Sequence, residues 1–410
     1  MKRSTVASDA LITAIDIGTT KICVLVAQRL APDHIEIIGI GKAPSQGLAR
    51  GVVVDIAPTI HSIKTAVKEA EIMSGVAIKS AYVGISGSHI QARNSQGVVD
   101  VKRGQIRQAD IQQVLTAARS VTLSEGQQLL HVVPQFFTID GTQHVRDPLG
   151  MYGSRLEAQV HIVTGGLSSL QNLVRCCQMA GVKVRDIVLE PLASAEAVLS
   201  EDEKEFGAFM LDIGGGTSDF AFYQQGTIRY TKVIPIAGNI FTRDIALCLR
   251  ATVRDAERIK QEFGSACVAD TNDEAIDVEM IQGNARNTIK RKEIARVLEP
   301  RAEELFTIVG HEIHNRHLEA PAGIVLTGGG SLLSGLSQVA TRTLGIPARV
   351  GKPRAYFGYH ESLNSPMYAT SYGLLRHVLS RKNDQMFNRA QSPFVEQIFN
   401  RMKSWISDMF

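Results

Sequence analysis

The chain has 410 residues, of which 44% are apolar, 21% charged and 6% aromatic, with a formal net charge of +3. That length allows two or more domains, each able to bury a core. The near-neutral balance, without a lysine–arginine block or an acidic tail, argues against nucleic acid as a partner, and no run of 18 apolar residues is present to span a bilayer.

The opening MKRSTVASDALITAIDIG runs straight into a strand containing Asp16 and lacks a small-residue cleavage site, so it does not read as a signal peptide. Residues 11–17 and 22–26 are β-rich runs around a polar Gly-Thr-Thr-Lys turn, which predicts a hairpin. A third strand follows at 35–40, then a helix at 58–74 with apolar spacing through Ile60, Ile63, Ala66, Val67 and Ala70. AYVGI, at 81–85, predicts a short buried strand.

From 86 to about 163 the texture changes. Gly, Asn and Gln are frequent, one helix stands out at 108–120, and LLHVVPQFFTID predicts a long strand. Strand and helix then alternate again, and 209–213, 219–223 and 228–235 repeat the opening hairpin pattern. Helices are expected at 241–249, 254–264, 293–312 and 372–379, with a polar stretch at 270–286. GIVLT leads into GGGSLLSGL, a strand, a glycine turn and a helix. Five cysteines, Cys23, Cys176, Cys177, Cys248 and Cys267, lack metal or CxxC spacing and read as reduced, structural thiols of a cytosolic protein.

Two stretches carry chemistry: AIDIGTTK at 14–21 and LDIGGGTSD at 211–219. A strand that leaves a sheet through such a turn aims several backbone N–H groups at one point and binds anionic oxygens with no Cβ in the way. Thr19, Thr20 and Thr217 add hydroxyls, and Lys21 adds a positive charge. Asp16, Asp212 and Asp219 repel phosphate unless a cation intervenes, and Mg²⁺ held through water by one or two carboxylates meets that need. Either loop alone is equally well a plain structural turn. Two in the same setting, with a third glycine turn, predict a clamp on the phosphates of a nucleotide.

Paired DIG hairpins followed by a TGGG turn resemble the superfamily of actin, sugar kinases and heat-shock ATPases. Within it, PSQGLARGVVVDI, HVVPQFFTIDG, DPLGMYGSRLEAQVHIV, VIPIAGNIFTRDIA and VLEPR resemble the FtsA family of bacterial cell-division proteins, from residue 14 to about 375. The resemblance implies ATP and Mg²⁺. It puts Asp16, Gly18, Thr19, Thr20 and Lys21 in the first phosphate loop and Asp212, Gly214, Gly215, Gly216 and Thr217 in the second, with Asp219 nearby. Asp16 and Asp212 would hold the metal through water. Gly238 and Asn239 would approach the phosphates, Gly328, Gly329, Gly330 and Ser331 the adenosine. Glu257 and Lys260, three apart on a helix, match the pair that grips ribose and adenine; outside that context they read as a solvated ion pair. Glu190 either positions a hydrolytic water or is a helix N-terminal carboxylate.

The implied fold is α/β and actin-like: two RNase-H-like domains flank a nucleotide cleft, with an inserted subdomain and a C-terminal amphipathic helix. The first domain takes 1–85, 163–198 and a closing helix at 369–379; the insertion takes 86–162. The second domain takes 199–240 and 300–368, with a small subdomain at 241–299. The resemblance implies that the insertion contacts neighbours in a filament and later division proteins. The small subdomain would dock the C-terminal peptide of FtsZ, with Arg301 against its acidic groups; otherwise Arg301 is a helix-surface arginine. The residues around Arg286 and the 270–284 loop depart from the family pattern.

A linker at 380–393 precedes SPFVEQIFNRMKSWISDMF. On a helix, Phe394, Val395, Ile398, Phe399, Met402, Trp405, Ile406, Met409 and Phe410 share one face and the polar residues the other. Such a helix either packs on the body or lies in a membrane interface, where its tryptophan suits the headgroup region. The charges of its polar face nearly balance, so apolar burial would dominate lipid binding.

These features together predict an ATP-binding scaffold, with no or slow turnover, that polymerises and tethers FtsZ to the inner face of the cytoplasmic membrane at the septum. The alternatives are a pilus-assembly scaffold of the same fold and a sugar or small-acid kinase. The kinase lacks a motif for its base, and a chaperone lacks a substrate-binding domain.

Overall fold

The computed structural model describes residues 11–31, 34–281, 286–354 and 361–383. Strand β1 (Leu11–Ile17) turns into β2 (Lys21–Ala31), which returns as β3 (His34–Pro44). A two-residue pair, β4 (Leu48–Ala49) and β5 (Val52–Val53), leads to helix α1 (Ile56–Ser74). α1 buries Thr59, Ser62, Ile63, Ala66, Val67 and Ala70, one helical face, and stops at Gly75 in the left-handed region at φ 69°. Its backbone lies so near the sheet that a Cβ on Gly41 would overlap the Ala66 carbonyl. Strand β6 (Ser80–Ile85) follows.

The chain then builds a separate layer: β7 (Gln91–Asp100), α2 (Gln108–Arg119), β8 (Gln127–Ile139), β9 (Thr142–Val145) and β10 (Arg155–Gly166). These strands form an antiparallel sheet of order β7-β10-β8-β9. It shares a core with α2, centred on Ile106, Val114, Leu156 and Val160. The strand β7 went unread in the sequence because nearly all of it stays open to solvent: among its ten residues only Gly97 is buried.

Helix α3 (Leu167–Met179) and strand β11 (Lys183–Leu189) complete the first half, and α4 (Glu190–Val198) crosses to the second. The first sheet has the order β11-β6-β1-β2-β3, with β1, β2 and β3 antiparallel and β6 and β11 parallel to β1.

The second half runs α5 (Glu201–Phe206), β12 (Ala208–Ile213), β13 (Ser218–Gln224), β14 (Thr227–Ile234), α6 (Gly238–Cys248) and α7 (Val253–Phe263). A hairpin of β15 (Ala275–Glu279) and β16 (Arg286–Lys290) begins inside the stretch that reads as merely polar, where β15 sends only Ile276 and Val278 into the core. Then come α8 (Arg291–Asn315), β17 (Ile324–Thr327), α9 (Leu336–Leu344), β18 (Ala348–Val350) and α10 (Ala369–Asn383). The sheet order β14-β13-β12-β17-β18 repeats the first strand for strand. α10 continues to Asn383, past the expected start of the linker at 380.

The inserted layer, rooted in the first half, also leans on the second. Gln135 Nε2 donates to the Ile228 carbonyl at 2.8 Å, and the His161 ring lies between Asn94 Oδ1 at 2.7 Å and Thr231 Oγ1 at 3.0 Å. Burial pushes the His161 imidazole down to about 4, so it is neutral near pH 7.

Candidate functional site

The site lies where β1–β2 of one half meets β12–β13 of the other. In the first hairpin Asp16 pairs with Cys23, and the turn closes by Gly18 N–H to the Lys21 carbonyl at 3.0 Å. In the second, Asp212 pairs with Asp219, and Gly214 N–H reaches the Thr217 carbonyl at 2.9 Å. The two turns touch. A Cβ on Gly215 would overlap the Thr20 side chain, and one on Gly216 would overlap that of Thr19. Two sequence motifs far apart in the chain are thus brought face to face.

Four carboxyls converge beneath the turns. Asp16, Asp212 and Asp219 retain only 7%, 6% and 3% exposure, and Glu190 is half-buried at the start of α4. Burial raises the Asp16 carboxyl, against the charge of Lys21 and a hydrogen bond from Ser371, with Asp212 adding to the rise. Burial also raises Asp212, opposed by the Ser194 and Thr370 hydroxyls and by Lys21. Asp219 is pushed up to about 7 by burial, opposed by Ser86 and reinforced by Asp212. Glu190 is lifted well above the carboxylate range by burial and then by the charges of Asp16, Asp219 and Asp212. Burial and three neighbouring carboxylates thus act together to favour its neutral form.

The Lys21 ammonium donates to the Met367 carbonyl at 2.5 Å and sits 4.5 Å from the centre of the Tyr368 ring. Thr19 Oγ1 accepts from Gly51 N–H at 3.1 Å. Gly238 and Asn239, at the start of α6, give their N–H groups to the Gly214 and Gly215 carbonyls at 3.0 and 2.8 Å, so they brace the second loop from behind. Gly328, at φ 79°, has its α-carbon against Asp212 and the Ile213 carbonyl, where any side chain would clash. Gly330 presses on Ile213, Gly329 faces open space apart from Met367, and Ser331 donates back to the Gly328 carbonyl at 2.7 Å.

Glu257 and Lys260 form an ion pair of 2.7 Å on α7. The pair is tied to α6, because Lys260 Nζ also donates to Thr242 Oγ1 at 2.8 Å and to the Gly238 carbonyl at 3.1 Å. Burial pushes the Glu257 carboxyl up, but the bonds from Lys260 and Thr242 outweigh it and hold it below its usual range. Arg301, on α8, lies apart from the cleft. It pairs with Asp244 at 2.5 Å and with Glu304. The apolar face of 394–410 falls outside the described residues, and so do the structure of 384–393 and the Arg286 side chain.

The donor set suits a hydrated cation between carboxylates and phosphate. Among the described residues, no three acidic, histidine or cysteine side chains are grouped closely enough to cage a metal by themselves. The cleft offers buried, mutually repelling aspartates under two bare turns, an arrangement that a divalent ion with its own waters and a polyphosphate would relieve. The sequence reading missed Ser86, Ser194, Thr370 and Ser371, which hydrogen-bond these aspartates. For Ser194, Thr370 and Ser371 the one signal available was a hydroxyl residue inside a largely apolar helical stretch, as in LASAEAV and ATSYGLL.

Comparison with known proteins bears on this architecture. A family model for the cell division protein FtsA matches residues 209–373, and a model for the SHS2 domain inserted in FtsA matches 87–164. The chain is 41% identical over 416 residues to the cell division protein FtsA of Pseudomonas aeruginosa, covering 99% of this chain and 100% of that one. Among solved structures, it is similar to the PilM–PilN type IV pilus biogenesis complex, with a TM-score of 0.66 at 18% identity over 90% of this chain and 98% of that one. Spiroplasma citri MreB5 bound to ADP gives a TM-score of 0.55 at 16% identity, covering 91% of this chain and 98% of that one. The structural likenesses establish an actin-like fold, and the matches in sequence, which span essentially the whole chain, establish that it belongs to the FtsA family of cell division proteins.

Proposed function

We propose that this chain is an ATP-binding scaffold of bacterial division that assembles into filaments and ties FtsZ filaments to the cytoplasmic membrane at the septum. The observation that carries the reading is the cleft, in which glycine turns from two equivalent sheets meet above three buried aspartates. Bound Mg²⁺ would neutralise phosphate charge, with Asp16 and Asp212 holding it through water. The turns with Thr19, Thr20, Lys21 and Thr217 would take the phosphates, the Glu257–Lys260 pair the ribose and base, and Gly329 the open side of the adenosine loop.

Turnover is none or slow. Burial and the neighbouring aspartates favour the neutral form of Glu190, which weakens it as a base toward an attacking water. An acidic FtsZ peptide at Arg301 must displace Asp244 and Glu304, which tunes its affinity downward. Residues 394–410, with their one apolar face, would anchor the assembly to lipid. Each single helix binds reversibly, and many along a filament bind by avidity. Later division proteins would join through the inserted layer.

Liposome co-sedimentation with FtsZ tests this, using the full chain and a version ending at Ser392, with and without ATP. The full chain should carry FtsZ down and the truncation should not. If neither binds lipid or FtsZ, the scaffold reading fails. Pulldown on an FtsZ peptide against a pilus-protein peptide separates the division scaffold from its pilus counterpart.

A further inference from the structure

Each aspartate of the cleft is held by a hydroxyl from a segment that joins parts of the molecule. Ser86, at the neck of the inserted layer, donates to Asp219 Oδ1 at 2.5 Å. Ser194, on α4, donates to Asp212 Oδ2 at 2.5 Å, and Thr370 donates to the same oxygen at 3.0 Å. Ser371 donates to Asp16 Oδ2 at 3.0 Å. All four hydroxyl residues are buried, with Ser194 and Ser371 at 0% exposure.

The pair at 370 and 371 is unusual in its reach. Two successive residues in the first turn of α10 bind two carboxylates from different halves, across the seam that a nucleotide would enter. Neighbouring helix positions point about 100° apart, so this works only where the helix end lies between its two targets. The donors are also fixed to each other. Ser194 Oγ and Thr370 Oγ1 are 3.1 Å apart, and α4 and α10 cross so closely that a Cβ on Gly373 would overlap the Ala193 carbonyl.

In both Asp16 and Asp212 the hydroxyls take Oδ2. The other oxygen, Oδ1, faces the glycines: at Asp16 it is 3.9 Å from where a Gly18 Cβ would stand, and at Asp212 it lies against the bare α-carbon of Gly328. One oxygen of each carboxylate is pinned by hydroxyls, and the other lies on the side of glycine backbone.

We propose that Thr370, Ser371 and Ser194 are positioning residues for the cation of a bound nucleotide. They act through Asp16 and Asp212, setting the spacing and rotation of the two carboxylates that would face a hydrated ion from the two halves. This rests on the reading of the cleft as a magnesium–nucleotide site. Because the donors sit on the two connecting helices, a bound ion would in turn bear on how those helices lie against each half.

The test measures ATP affinity of the full chain by calorimetry, in Mg²⁺ and in EDTA, for the wild type, Thr370→Val, Ser371→Ala and Thr370→Ser. The readout is the ratio of the two affinities. The ratio should fall about tenfold or more for Thr370→Val and for Ser371→Ala, the size expected for a lost hydrogen bond to a charged group. It should return toward wild type in Thr370→Ser, which keeps the hydroxyl. Thermal unfolding without nucleotide reports separately on packing.

A role confined to packing lowers the melting temperature and both affinities together, leaving the ratio intact; that result overturns the proposal. Should Thr370→Val not fold, Ser371→Ala, which removes a single oxygen atom, decides the matter. A wild type that binds ATP equally with and without Mg²⁺ overturns the positioning claim but leaves nucleotide binding standing. A wild type that binds no ATP overturns the cleft reading itself, and the positioning claim with it.

Discussion

The hairpins at 17–22 and 213–218 share one backbone and carry opposite side chains. Both leave an aspartate at the end of a central strand, close with one N–H-to-carbonyl bond between the first glycine and the residue three on, and return antiparallel. The first then presents Thr19, Thr20 and Lys21, where the second presents Gly215, Gly216 and Thr217. Across from the strand aspartate, the first has Cys23 and the second Asp219. A duplicated fold has thus divided its labour. One turn supplies hydroxyls and positive charge, and the other supplies bare backbone that lets those side chains come close.

The largest effect should come from erasing the difference at the strand. Cys23→Asp would give the first hairpin the second carboxylate of its twin at a fully buried position, with Lys21 the nearest compensating charge. It should cost about 3–5 kcal/mol in chemical denaturation of the nucleotide-free chain. A cost below about 1 kcal/mol would mean that the two strand ends are interchangeable.

Next in size is the pH dependence of the carboxylate that the second hairpin has and the first lacks. Asp219 is raised from 3.8 to about 7 in the folded chain. The stability tied to its proton is therefore complete below 3.8 and lost as pH rises through 7. Asp219→Asn, whose amide stays neutral, should gain on the wild type as pH climbs from 4 to 7, by on the order of 3 kcal/mol. A flat difference between the two unfolding curves across that window refutes the assignment.

The smallest effect probes the contact between the turns. Gly215→Ala should cost about 1–2 kcal/mol, because its new methyl meets Thr20. Thr20→Gly in the same chain should restore most of that loss. Additive costs in the double mutant would show that the two turns do not share this space.

The second hairpin was as legible in the sequence as the first, since alternating apolar strands broken by Asp-Gly are local signals. The repeated sheet order follows from them. What the sequence hid is non-local. Ser371 and Asp16 are 355 positions apart, and no spacing rule joins a helical serine to a carboxylate that distant. Likewise, the ion pairing of Arg301 with Asp244 depends on how α8 packs on α6, and the lean of His161 on Thr231 depends on where the inserted sheet comes to rest. Sequence patterns report which face of an element is buried. They do not report which other element covers it.

That lean has a mechanical consequence. The insertion leaves the first half at β6 and is hydrogen-bonded to β14 of the second through Gln135 and His161, while α4 and α10 join the same halves elsewhere. The molecule is therefore braced like a triangle, with two hinged plates and a strut. A triangle does not open by simple separation of two sides. Either the strut slips along β14 or it travels with the second half and bends at its own root near Ser86. Whatever grips the strut from outside therefore also sets how freely the plates can part.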